Sequence, residues 1–122
     1  MSLRTNSNAG RTAEIKLIVD LDGDDMPTRI EWQASEGQEN GPVLCQSMML
    51  SVWDSENKTT AAIDLWIKDM TVDEMNLYFY QVIHQMADTY LRATKNVDMA
   101  NSIHEFGNNF GETLGLIRRS AT

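Results

Sequence analysis

The sequence predicts an α+β fold: a four-stranded antiparallel sheet followed by two carboxyl-terminal helices packed on one of its faces. Two observations predict it. Between Thr12 and Lys68, apolar and polar residues alternate through four segments, the period of half-buried strands; from Val72 onward apolar residues recur at spacings of three and four, the period of helices. The change of period is abrupt within Ile63 to Met75, IDLWIKDMTVDEM. Ile63, Leu65 and Ile67 share one strand face and Asp64, Trp66 and Lys68 the other, and Thr71 with Glu74 then forms a capping box that opens a helix at Val72. Met70 and Met75 stand where a hydrophobic staple is made across that box.

Residues 1–11 are polar and rich in asparagine and glycine, and are expected to be a disordered tail ahead of a single domain at 12–117, with a second tail at 118–122. Strand one follows, with Ile15, Leu17, Val19 and Leu21 on one face against Glu14, Lys16 and Asp20. The segment DGDDMP, residues 22–27, combines an Asp-Gly pair with a proline and predicts a reversal. Strand two is expected over Thr28 to Ala34, pairing antiparallel with strand one, with Ile30, Trp32 and Ala34 opposed to Arg29, Glu31 and Gln33. The polar loop SEGQENGP, residues 35–42, is long enough for the chain to move to another edge.

Strand three is expected over Leu44 to Trp53, with Met48, Leu50 and Val52 on one face and Met49 and Trp53 on the other. A hairpin through Asp54 to Lys58 joins it to strand four, Thr60 to Lys68. The first helix, about Val72 to Ala93, carries Met75, Tyr78, Phe79, Val82, Ile83, Met86 and Tyr90 as the stripe of a helix lying on a sheet. After a break at Lys95 to Asp98, the series Met99, Ile103, Phe106, Phe110 and Leu114 predicts a second helix. Gly107, Gly111 and Gly115 each weaken that helix by up to ~1 kcal/mol relative to alanine, although glycines four apart on one face permit close backbone packing.

Bulk properties narrow the function. With 122 residues and 42% hydrophobic content, the chain supports one core. A net charge of −8 repels phosphate backbones and anionic lipid, so neither nucleic acid nor a membrane surface is an expected partner. A single cysteine, Cys45, makes no intramolecular disulfide, and the amino end carries no signal-sequence pattern, so a cytoplasmic location is expected. No apolar run approaches the roughly 20 residues of a membrane span.

Candidate chemistry is thin. Asp20, Asp22, Asp24 and Glu31 have the spacing of an EF-hand loop, but Asp25 stands where that loop has glycine, Pro27 follows, and the flanks read as strands, so the cluster reads as a solvated hairpin turn. His84 and His104 fall on different helices and Cys45 in a strand, so no local metal-ligand or nucleophile-base spacing exists and no metal or cofactor is expected. His84 with Asp88 one turn later is either an oriented general base or an ordinary helix-surface contact. No nucleophile or phosphate loop accompanies it. Met49, Trp53 and Trp66 fall on the sheet face opposite the one assigned to the helices, and aromatic side chains of this size bury ~150 to 250 Å² each. An apolar patch of that scale is an interaction site, for a partner or a second copy, or else is covered by the loop at 35–42.

The segments EIKLIVDLD (14–22), PTRIEW (27–32), MMLSVWD (48–54), IDLWIKDM (63–70), VDEM (72–75) and MADTYLRAT (86–94) resemble the gliding motility protein GldC family across about Thr12 to Leu116. The resemblance does not extend to loop 35–42 or the carboxyl half of the second helix. It implies a small cytoplasmic accessory protein of the gliding machinery with no established enzymatic activity and no known ligand. The expectation is therefore a non-enzyme that works through protein contacts as a homodimer or with another protein, using Met49, Trp53 and Trp66. The alternative is a small-ligand binder or enzyme with a pocket between helices and sheet, offering Tyr80, His84 and Asp88.

Overall fold

A computed structural model describes residues 10–36 and 41–118. Residues 1–9 of the expected amino-terminal tail and 119–122 of the expected carboxyl-terminal tail lie outside the described residues, as do residues 37–40 of the polar loop. The chain divides into two compact units, Met1–Met70 and Thr71–Thr122; among the described residues the first contains only strands and the second only helices. No helix among the described residues is long and apolar enough to cross a membrane.

In the first unit, β1 (Ile15–Leu21) and β2 (Pro27–Ala34) pair antiparallel, Ile15 opposite Ala34 through Asp20 opposite Arg29. The register shifts at Asp20/Leu21, where Pro27 has no N–H to offer and the Thr28 hydroxyl donates to Asp20 O at 3.2 Å instead. The reversal is held by the Asp22 carboxylate, whose Oδ1 accepts from the N–H groups of Asp24 at 2.8 Å and Met26 at 3.0 Å. Its left-handed residue is Asp25, at φ 60°, rather than Gly23 of the Asp-Gly pair.

The expected single four-stranded sheet is replaced by two sheets, β1-β2-β3 and β4-β5. The predicted third strand divides at Gln46 into β3 (Val43–Cys45), paired with β2, and β4 (Ser47–Asp54), paired with β5 (Thr59–Trp66). Gln46 is where one ladder hands over to the other: Cys45 stands opposite Ile30, Gln46 O accepts the Ile67 N–H at 2.9 Å, and Ser47 stands opposite Trp66. Sequence alternation runs straight through such a break, because a strand that changes partners keeps its two-residue period. Ile30, opposite Cys45, is fully buried. The β4-β5 register is unbroken from Ser47↔Trp66 to Asp54↔Thr59. Asp54 organises the turn by accepting from the N–H groups of Glu56 and Asn57 and from Asn57 Nδ2 at 2.8 Å.

The second unit is a helical hairpin. Thr71 caps α1 (Val72–Thr94), its hydroxyl accepting the Glu74 N–H at 3.1 Å. The helix ends on Lys95, left-handed at φ 63°, with its N–H on Leu91 O. One residue on, Asn96 caps α2 (Val97–Thr113) by accepting the Met99 N–H at 3.0 Å. Gly115, at φ 74°, closes α2: its N–H bonds Glu112 O and the Leu116 N–H bonds Gly111 O, the paired bonds of a Schellman ending. Gly115 therefore terminates the helix, while Gly107 and Gly111 are buried against α1 together with Ala100. On α1 Ile83 and Ala87 are buried, Ile83 against Gly107 of α2.

Candidate functional site

Strand alternation and the β4-β5 register settle which side chains share a face. Met48, Leu50 and Val52 stand opposite Leu65, Ile63 and Ala61, giving one face three wholly apolar rows before it ends on the polar row Asp54/Thr59 at the turn. The other face consists of the rows Ser47/Trp66, Met49/Asp64, Ser51/Ala62 and Trp53/Thr60. Met49, Trp53 and Trp66 thus lie on one face, and each is exposed, at 39%, 63% and 53%.

They do not form one compact cluster. Met49 and Trp66 are diagonal neighbours, within reach of each other across the ladder. Trp53 stands six positions along from Ser47, the residue opposite Trp66, which is about 20 Å at ~3.4 Å per residue. Ser51, Ala62, Thr60 and Asp64 occupy the interval. The face is a long strip with an indole at each end, a shape suited to an extended contact more than to a compact ligand.

The helical hairpin brings together polar groups that sequence spacing left apart. His84 Nδ1 of α1 lies 2.6 Å from His104 Nδ1 of α2, with the two rings meeting edge to edge, their planes 26° apart and their centroids 4.9 Å apart. Asp88 Oδ1 accepts from His104 Nε2 at 3.0 Å. Asp88 therefore orients His104 across the seam, not His84 one turn before it as the sequence suggested. Tyr80 meets the His84 ring edge-on at 4.8 Å. The remaining nitrogen, His84 Nε2, is buried without a partner among the described residues. A Cβ at Gly107 would come within 2.8 Å of that atom, so α2 seals it. The signal for this pairing was present as His84 in helical phase with Tyr80 and Ala87, and His104 in phase with Gly107 and Gly111. What was missing was the pairing of the two helices.

A base needs a proton to take from a substrate, and here the histidine nitrogens are engaged by each other, by Asp88 or by packing. A groove of about 320 Å³ on this unit runs past Phe106, Asn109, Phe110, Thr113 and Leu114, away from the histidines. No group of three or more His, Cys, Asp or Glu suited to a metal occurs among the described residues. Asp20, Asp22, Asp24 and Glu31 of the EF-hand-like spacing are spread over β1, the reversal and β2, where Asp22 serves the turn backbone and Glu31 pairs opposite Ile18. Backbone hydrogen bonds from Met26 and Asp24 hold the Asp22 carboxyl below the usual carboxylate range. Partial burial pushes the Cys45 thiol up, and its Sγ lies 3.7 Å from Ile30 O, the setting of an unreactive packing thiol.

Comparison with protein families gives a match to the family described as gliding motility-associated protein GldC-like over residues 27–116 of the 122. The matched span starts at the first residue of β2 and takes in both Gln46, where the sheets exchange, and the whole helical hairpin. Neither the curated proteins nor the solved structures contain a match.

Proposed function

Because the chain belongs to the gliding motility-associated GldC-like family, we propose that it is a non-enzymatic cytoplasmic accessory protein of gliding motility that works by protein-protein contact through the β4-β5 hairpin. The observation that carries this reading is the exposed strip of Met49, Trp53 and Trp66, backed by an opposite face that is apolar in three of its four rows. Large aromatic side chains are the commonest energetic anchors of protein interfaces. The histidine pair supports the non-enzymatic half, since His84 is closed into the helical seam and both His104 nitrogens are taken up by His84 and Asp88.

The test is association of the Trp53→Ser/Trp66→Ser double variant. Both side chains are exposed, so the variant is expected to keep the wild-type circular dichroism spectrum and lose self-association or co-purification of its partner. A double variant that associates like wild type would remove the strip from the mechanism.

A further inference from the structure

The Ile67 N–H to Gln46 O bond fixes the direction of every backbone group in β5. In an antiparallel ladder, hydrogen-bonded and non-hydrogen-bonded residues alternate, so Ala61, Ile63 and Leu65 turn their N–H and C=O toward β4, while Thr60, Ala62, Asp64 and Trp66 turn theirs outward. Those outward groups have no hydrogen-bond partner among the described residues. β4 continues from β3, which already carries β2, so β5 is the outer strand of its sheet. Two strands alone make a marginal sheet. β5 also lacks the devices that blunt an edge: its eight residues contain no proline, no bulge and one charge, Asp64.

We infer that β5 is a dimerisation strand, along which two copies of this chain pair antiparallel with Ile63 at the two-fold axis. This deepens the protein-contact reading above and rests on it. The register follows from three constraints. Pairing about a point between two residues would set the apolar face of one copy beside the polar face of the other, so the axis passes through a residue. An axis at Asp64 would oppose two carboxylates, one at Ala61 or Ala62 would leave Trp66 outside the ladder, and one at Leu65 would leave Thr60 outside it. With the axis at Ile63, Asp64 of one copy meets Ala62 of the other, Thr60 meets Trp66, and Ala61 meets Leu65. The outward groups of all four residues find partners, and the apolar faces join into a four-stranded sheet, β4-β5 from each copy.

Sedimentation of the full chain tests this directly: wild type is expected at twice 13.8 kDa. Ala62→Pro removes an outward N–H while keeping each β4-β5 bond, a placement that edge strands tolerate, and is expected to sediment at the mass of one chain with unchanged circular dichroism. Ile63→Cys places two thiols at the axis in a non-hydrogen-bonded pair, about 4.5 Å between Cα atoms, and is expected to give a reducible covalent dimer under mild oxidation that Ala62→Cys does not give. Wild type, with Cys45 as its single thiol, is the control. A monomeric wild type, a dimer untouched by Ala62→Pro, or cross-linking at residue 62 rather than 63 would each overturn the proposal. A monomeric wild type whose partner is still lost in the double tryptophan variant would overturn the β5 dimer alone and leave the protein-contact function standing.

Discussion

The Nδ1 atoms of His84 and His104 are 2.6 Å apart, a distance that requires one proton between the two rings. With both rings neutral, Asp88 on Nε2 of His104 makes that ring's Nδ1 the acceptor, and His84 donates from Nδ1. His84 Nε2 is then a bare lone pair facing Gly107, the less costly way to leave a buried nitrogen unpaired. Nitrogen-15 NMR of the uncharged pair is expected to show opposite tautomers, Nδ1–H at His84 and Nε2–H at His104. His104→Ala leaves the His84 N–H unpaired and opens a gap in the seam, and is expected to cost about 1–3 kcal/mol of unfolding free energy in urea titrations.

The glycines of α2 have different jobs and respond differently to alanine. In an exposed helix the substitution gains up to ~1 kcal/mol from propensity. At Gly107 the new Cβ would sit 2.8 Å from His84 Nε2, and at Gly111 2.7 Å from Tyr80 Cε1. Overpacking of this kind costs about 1–3 kcal/mol, and the His84 ring is held by His104, so Gly107→Ala is expected to be destabilising overall. Gly115→Ala meets no atom, yet its φ of 74° is left-handed, and the Schellman ending is expected to fray by about 1 kcal/mol. Thermal melts rank the three against wild type.

Much of the architecture is legible along the chain because it is local. The capping box at Thr71/Glu74 fixes the start of α1, and alternation finds β1, β2, β5 and most of β4. The failures share a cause, which is pairing between distant segments. Alternation from Leu44 to Trp53 is indifferent to which neighbour each residue bonds, so the exchange of ladders at Gln46 is silent in sequence. The helical stripe that named Ile83 beside Phe79 and Met86 likewise does not separate the residue buried toward α2 from the two that are exposed. His84 was matched with Asp88 because they share a helix, whereas the bond runs from His104. The shared face of Met49, Trp53 and Trp66 was legible, but their spacing along it needed the register of Ser47 with Trp66.

Lys95 is the residue of the helical hairpin whose chemistry fits its backbone least. At φ 63° it occupies the position where glycine commonly ends a helix, and a side chain there costs roughly 1–2 kcal/mol. Glycine would add unfolded-state entropy worth ~0.4–1 kcal/mol in the opposite sense. Lys95→Gly is therefore expected to stabilise the protein by between about 0 and 1.6 kcal/mol, raising the melting temperature slightly. A drop would mean that the lysine side chain has a stabilising contact of its own.

The β4-β5 turn makes the hairpin sensitive to acid. The side-chain hydrogen bond from Asn57 and the backbone bonds from Asn57 and Glu56 hold the Asp54 carboxyl below its ordinary value near 3.8. In that acidic range the unfolded chain takes up the proton first, so stability from Asp54 is present at neutral pH and is lost as pH falls through the folded-state value. Asp54→Ala removes it at every pH. The gap between wild-type and variant urea midpoints is expected to be widest near neutrality and to narrow as pH falls below the ordinary carboxylate range; a gap independent of pH would assign the turn's stability to its backbone alone.

The separation of the two indoles sets how their contributions combine. Sites more than about 7–10 Å apart with no shared partner usually add within ~0.3–0.5 kcal/mol, and Trp53 lies about 20 Å along the ladder from Trp66. Met49, by contrast, is a diagonal neighbour of Trp66. In binding measured by calorimetry, the losses from Trp53→Ser and Trp66→Ser are expected to sum in the double variant, each reaching about 2 kcal/mol if that indole anchors the interface. Met49→Ala and Trp66→Ser are expected to fall short of additivity by roughly 0.5 kcal/mol or more, because each removes part of the same contact. Additivity of the tryptophans together with coupling at Met49 would trace a partner lying along the strip. Strong coupling between Trp53 and Trp66 would instead require a partner that closes over both ends at once.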